Sequence, residues 1–330
     1  MASIPGVPTT ILVAPDSFKG TLSAAQVADA IGRGLEAAGR PVDLCPVADG
    51  GEGTLEALLP AIEGELRTAT VADPLGRAIE ASFAVGDAVA VLETAAASGL
   101  GLVEPEERDA VEASTFGTGE LIVTAVAAGA ETVYLGVGGS ATTDGGAGAL
   151  KAIREAGGVG ATRIVVLCDV RTPFEQAARV FGPQKGADPD AVIRLTKRLN
   201  DQARRLPRDP RGVPMTGAAG GLSGGLWAEL GAELVPGAQF VLDAVEFDRR
   251  MRAARAVVTG EGKLDQQSLA GKLVSEISTR ARQAGVPCHA IVGTRELDSF
   301  GVRVLDLQAV LEASTPRQIS TAARRLADVL

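Results

Sequence analysis

Basic excess, histidine, aromatic rings and paired cysteines are all scarce in this chain, and each scarcity narrows the function. Its 330 residues carry 32 Lys and Arg against 41 Asp and Glu, a net charge of −9. A broad basic face for nucleic acid is not expected on that balance. The single histidine, His289, rules against Ser-His-Asp hydrolysis and multi-histidine metal sites. It lies in the run Pro287-Cys288-His289-Ala290-Ile291-Val292 and reads as a structural residue of a strand. Cys45, Cys168 and Cys288 are scattered in or beside apolar runs, with no CxxC or zinc spacing. They read as buried small hydrophobes in a reducing cytoplasm. No stretch approaches the roughly 20 apolar residues of a membrane span. The first residues have neither a basic segment nor a long apolar core. A cytoplasmic protein without membrane or nucleic-acid partners is expected. Aromatics are only 3% while hydrophobic residues are 46%. Ala, Val, Leu and Gly must therefore build the core, as where helices pack closely on parallel sheets. The length suggests two domains.

What is present alternates. Thr10-Ile11-Leu12-Val13-Ala14 reads as a strand. Ser23 with Gln26 forms a capping box, and Val27, Ile31 and Leu35 recur at helical spacing over 23–38. Residues 42–47 form the next strand, giving a parallel β-α-β unit. Residues 65–94 change character: three strand-like runs with close-set turns predict an antiparallel meander. Helices are expected at about 117–129, after the glycine run near 148, and at 189–206, 217–232 and 236–254. Strands are expected at 131–137 and 163–168. Alternation returns with strands at 256–259, 287–292 and 303–307, a helix at 268–284, and a last helix opened by the capping box Thr315-Pro316-Arg317-Gln318. The expected architecture is α/β with two domains. Residues 1–62 and 253–330 form a discontinuous parallel α/β domain, and residues 63–252 an inserted mixed α/β domain, with five strands in each.

Chemistry concentrates where strands end. Gly136-Val137-Gly138-Gly139-Ser140-Ala141-Thr142-Thr143-Asp144-Gly145-Gly146-Ala147-Gly148 follows an apolar run. Such a turn opening a helix brings N–H groups close to an anion, phosphate above all. Asp16-Ser17-Phe18-Lys19, Asp49-Gly50-Gly51-Glu52 and Glu261-Gly262-Lys263-Leu264-Asp265 end three strands of the first domain. In an open parallel sheet the site lies beyond the carboxyl ends, so these turns converge. Lysines that neutralise phosphate, carboxylates that hold Mg²⁺ and a carboxylate that takes a hydroxyl proton are what phosphoryl transfer needs. The P-loop, the G-x-G-x-x-G fingerprint and the protein-kinase motifs are all absent.

In order, Ala14-Pro15-Asp16-Ser17-Phe18-Lys19-Gly20, Asp49 to Thr54, Glu93-Thr94-Ala95-Ala96-Ala97-Ser98-Gly99-Leu100, Gly138 to Gly148, Phe181-Gly182-Pro183-Gln184-Lys185-Gly186-Ala187, Gly217-Ala218-Ala219-Gly220-Gly221-Leu222 and Thr259 to Asp265 with Gln267, Ser268, Gly271 and Lys272 resemble the bacterial glycerate kinases of the first class. The resemblance runs from about residue 10 to the C-terminus. It implies ATP-dependent, Mg²⁺-supported phosphorylation of D-glycerate, with 2-phosphoglycerate favoured over the 3-phosphate. It also implies a flavodoxin-like domain and a restriction-endonuclease-like domain with the site between them. Residues 149–162 and 171–176 are shorter than the family usually carries. Thr143 stands where asparagine is common, and Lys263 where arginine is common. A kinase for another small hydroxy acid or sugar acid, and a non-catalytic metabolite-binding paralogue, are the rival readings. The expected catalytic residues are Asp16, Lys19, Asp49, Asp144, Glu261 and Lys263. Gly138, Gly139, Ser140, Lys185, Asp265 and Lys272 are expected to bind substrate or phosphate, and Asp49 and Asp144 a metal. Asp169 is a further carboxylate candidate.

Overall fold

The structure, a computed structural model, describes residues 9–270 and 272–330. Gly271, one of the glycines in the family resemblance, lies outside the described residues. The chain forms two compact units, Met1–Asp49 with Ala238–Leu330, and Gly50–Gly237. Their joins differ from those expected after residues 62 and 252. Helix Thr54–Leu58 belongs with the second unit, where Leu55 N–H donates to Glu93 at 2.8 Å. Helix Phe247–Arg252 belongs with the first, where Arg250 pairs with Asp43 at 2.5 Å.

The first unit is built on a five-stranded, all-parallel sheet. Its order is Leu307–Glu312, Cys288–Val292, Ala256–Gly260, Ile11–Pro15, Val42–Leu44. Counted along this unit, the order is 2-1-3-4-5, that of flavodoxin. The central strands are buried at every position, which is why they read as unbroken apolar runs. Helices Ala24–Glu36 and Pro316–Leu326 cover one face with Val27, Ile31, Leu35, Ile319 and Leu326. Each such side chain contributes about 1.5–3 kcal/mol by leaving water. Both expected capping boxes are formed. The last strand is Leu307–Glu312, not 303–307. Asp298 caps Gly301 N–H and starts a short helix, Ser299–Val304, within the β-branched run that had suggested a strand.

The second unit carries a mixed sheet of six strands: Glu65–Ala72, Ala78–Gly86, Val89–Glu93, Thr132–Gly136, Arg163–Cys168, Glu233–Pro236. The first three form the antiparallel meander, and the rest are parallel. The sixth strand, beyond the five expected, is only four residues long and ends in proline, too short to show a period in sequence. Helices Phe116–Ala127, Ala147–Glu155 and Leu222–Leu230 bury Leu121, Ile122, Leu150, Ile153, Leu222 and Leu226 in its core. The expected helix at 217–232 is broken: Ala219 and Gly220 have positive φ before Leu222–Leu230 begins. The expected helix at 236–254 is two helices, Gly237–Ala244 and Phe247–Arg252, parted at Glu246 with φ 55°. Among the described residues no helix is long and apolar enough to cross a membrane.

Candidate active site

Strand register assembles an acidic cavity in the first unit. Pro15 pairs with Gly260, so Asp16 and Glu261 leave the sheet side by side, and Asp16 N–H donates to Gly260 O at 2.8 Å. Asp49 follows the strand Val42–Leu44, and Gly293 and Ser314 follow the strands Cys288–Val292 and Leu307–Glu312. Phe18 and Leu22 bridge to each other and close a short loop that presents Lys19. All of these ends except Leu22 line one cavity of about 410 Å³, together with Ser17, Lys263, Asp265, Thr294 and Lys272. Seven of the expected residues thus meet there: Asp16, Lys19, Asp49, Glu261, Lys263, Asp265 and Lys272.

The electrostatics of the cavity are strained. Asp16 and Asp49 are almost fully buried. Burial, and then the neighbouring charge of Asp49, hold the Asp16 carboxyl well above the usual carboxylate range. Lys19 offsets part of this by donating to Asp49 Oδ2 at 2.9 Å while its side chain stays half exposed. Burial pushes Glu261 up to about 7, against Ser268 Oγ, which donates to its Oε1 at 2.6 Å, and against Lys272. Ser17 Oγ is buried and finds no partner among the described residues. Lys272 caps helix Leu273–Ala284 without a side-chain bond, so that helix start faces the cavity beside a cation.

Two of these residues are less available than expected. Lys263 lies 3.0 Å from Glu296 and 3.8 Å from Asp265, so two carboxylates already answer its charge. Asp265 accepts from Gln267 N–H at 2.8 Å and shapes its own turn.

The other expected residues lie in the second unit. Asp144 Oδ2 accepts from Thr115 N–H, Thr115 Oγ1 and Gly148 N–H, and its Oδ1 from Gly146 N–H, all between 2.8 and 3.0 Å. The anion at the start of helix Ala147–Glu155 is therefore the protein's own carboxylate. Asp144, expected as a metal ligand or catalytic group, has both oxygens engaged in holding the turn. Gly146 opens that helix in the left-handed conformation. Gly138 is glycine for a packing reason, since a Cβ there would stand 2.6 Å from Gly51 Cα. Even so, the N–H groups of Gly138, Gly139 and Ser140 donate to no acceptor among the described residues. Lys185 backs them from beneath, donating to Ser140 Oγ at 2.8 Å and Thr142 O at 2.6 Å. Burial lowers its pKa to about 7, against the pull of Asp144. Asp169 follows the strand Arg163–Cys168.

Ser17, Thr294 and Ser314 went unassigned from sequence. The rule that sites gather at carboxyl strand ends points to Ser17 and Thr294, whereas Ser314 follows a strand expected too early, at 303–307. His289 is buried in its strand, and its Nδ1 finds no hydrogen-bond partner among the described residues.

No group of three His, Cys, Asp or Glu among the described residues is arranged to hold a metal ion. Mg²⁺, however, is commonly held by one or two carboxylates plus substrate phosphates. Asp16 and Asp49, two buried carboxylates with one half-exposed lysine between them, fit that need.

The first unit is thus a parallel α/β unit with an acidic, lysine-rimmed cavity at its carboxyl edge, an arrangement suited to phosphoryl transfer. The model of the glycerate kinase family matches residues 11–156 and 154–330. A glycerate kinase of Halalkalibacterium halodurans is 39% identical over 86% of this chain and 85% of its own. The glycerate 2-kinase of Escherichia coli is 38% identical over 92% and 90%. The crystal structure of a protein assigned as glycerate kinase 2 from Salmonella typhimurium LT2 superposes with a TM-score of 0.82 at 34% identity, covering 98% of each chain. The chain belongs to the glycerate kinase family.

Proposed function

We propose that this kinase transfers the γ-phosphoryl group of ATP to the 2-hydroxyl of D-glycerate, with Mg²⁺. The carrying observation is the cavity where Asp16, Asp49 and Glu261 meet Lys19 and Lys272, in a chain of this family. The E. coli relative's name, glycerate 2-kinase, supports the choice of hydroxyl.

Glu261 is the proposed general base. A carboxyl poised at about 7 can accept a proton at neutral pH and still be mostly ionised just above it. Its bond from Ser268 fixes the direction of the accepting oxygen. The substrate oxygen bonds to the γ-phosphorus, its proton passes to Glu261, the bond from that phosphorus to the bridging oxygen breaks, and ADP leaves. Asp16 and Asp49 would hold Mg²⁺, which when bound neutralises charge on the phosphates. Lys19 and Lys272 balance the anionic substrates from the rim. Ser17 Oγ, buried without a partner, is suited to accept or donate a bond to the bound acid. In the second unit, the N–H groups of Gly138, Gly139 and Ser140, with Lys185 behind them, are assigned to a phosphate. Three free, buried cysteines support a reducing, cytoplasmic setting.

A substrate panel tests the reading. ADP release with Mg²⁺-ATP should be fastest with D-glycerate; clear preference for a longer hydroxy acid or sugar acid refutes the substrate. Ligand-induced thermal stabilisation without any ADP release would mark a non-catalytic binder instead.

A further inference from the structure

The helix Pro189–Ala203 and the turn after it gather several cations on one cavity wall. Arg194, Lys197, Arg198 and Arg205 recur at helical spacing and line a cavity of about 530 Å³. Like charges three and four residues apart destabilise a helix. Elsewhere on this acidic chain several arginines pair with a carboxylate, as in Arg163–Glu233 and Arg211–Asp209. Arg194, Lys197 and Arg205 form no ion pair among the described residues. The two acids of the cavity wall are already engaged. Asp144 is taken up by four donors, and Asp201 pairs with Arg204 at 2.7 Å.

Arg198 adds rigidity. It donates to Val111 O at 2.7 Å and Thr143 O at 2.9 Å, and its buried Nε finds no partner among the described residues. Gln202, also on the wall, donates to Gly145 O at 2.9 Å. The floor of the cavity is thus tied to the glycine run, while its cations face outward uncompensated.

We infer that this cavity, lined wholly by residues of the second unit, is a second anion site built for a small phosphorylated organic acid. Its volume lies within the range of ligand pockets, about 300–1,000 Å³. Arg194, Lys197 and Arg205, over the Arg198 floor, suit a phosphate together with a carboxylate. The wall offers no aromatic ring and no apolar side chain beyond Ala147, so a nucleobase has no surface to stack on. The inference goes beyond glycerate phosphorylation and is read by binding, so either can fail alone.

Isothermal titration of the full chain with 3-phosphoglycerate, inorganic phosphate and ADP, each against a chloride control, tests it. The wild-type chain should bind one equivalent of the phosphorylated acid that the Arg194→Ala/Arg205→Ala double variant loses or binds at least tenfold more weakly. That variant should keep its melting temperature and its glycerate kinase rate. Lys197→Gln should show the same loss in a milder form if the double variant folds poorly. Wild-type binding by both variants overturns the site. Equal or tighter binding of inorganic phosphate or ADP through these cations overturns the ligand class.

Discussion

Replacing Glu261 by glutamine separates a catalytic base from a structural carboxylate, because the two roles predict opposite changes in stability. Burial raises the Glu261 pKa from 4.5 to about 7. At ~1.4 kcal/mol per decade, the buried charge costs the fold at most ~3 kcal/mol at pH 8. The folded-state pKa lies above the unfolded one. The folded chain therefore keeps the proton between those values, and stability present below about pH 4.5 is lost as pH rises through about 7. Glutamine carries no such charge. Glu261→Gln should then be more stable than wild type at pH 8, by up to ~3 kcal/mol, with the gain fading toward pH 4.5. Loss of a general base lowers the rate roughly 10²–10⁴-fold. The wild-type rate should climb as pH passes through about 7, and the variant should lack that limb. Chemical denaturation at pH 5 and 8 gives the stabilities, and a coupled ADP assay gives the rates. A variant with wild-type turnover, or one destabilised equally at both pH values, refutes the assignment.

Asp16→Asn and Asp49→Asn should each slow turnover by two orders of magnitude or more, with circular dichroism unchanged. Near-normal activity removes that residue from the mechanism. Asp144→Asn should instead act on stability, losing roughly 2–4 kcal/mol as four donors lose a charged acceptor, measurable by urea unfolding. Gly138→Ala should destabilise by about 1–3 kcal/mol, because the new Cβ meets the backbone of Gly51; an unchanged unfolding midpoint would show that the loop gives way freely. Lys185, with a folded pKa of about 7 against 10.5 unfolded, should make stability rise with pH across that interval. Lys185→Met should flatten the rise.

The sheet of the first unit was legible because its strands are apolar throughout and its helices are capped by Ser23 and Thr315, local signals that tertiary packing does not override. The acidic cavity was legible for the same reason: once strand ends are located, topology brings Asp16, Asp49 and Glu261 together. What stayed hidden depends on partners distant in sequence. Asp144 reads as a turn aspartate near a phosphate loop until Thr115, 29 residues earlier, is seen to claim it. Lys263 reads as a free cation until Glu296 appears beside it. The strand Glu233–Pro236 has too few residues to show a period, and is secured by pairing with Arg163–Cys168. The break at Ala219 and Gly220 lies in a segment whose glycines suit either a helix packed closely or a kink.

The most direct test of the central claim is to incubate the chain with ATP, Mg²⁺ and D-glycerate and identify the phosphorylated carbon by phosphorus NMR. Glycerate-dependent formation of ADP and 2-phosphoglycerate is expected, abolished in Asp49→Asn. Formation of the 3-phosphate would contradict the choice of hydroxyl, and no glycerate-dependent ADP would contradict the kinase assignment itself.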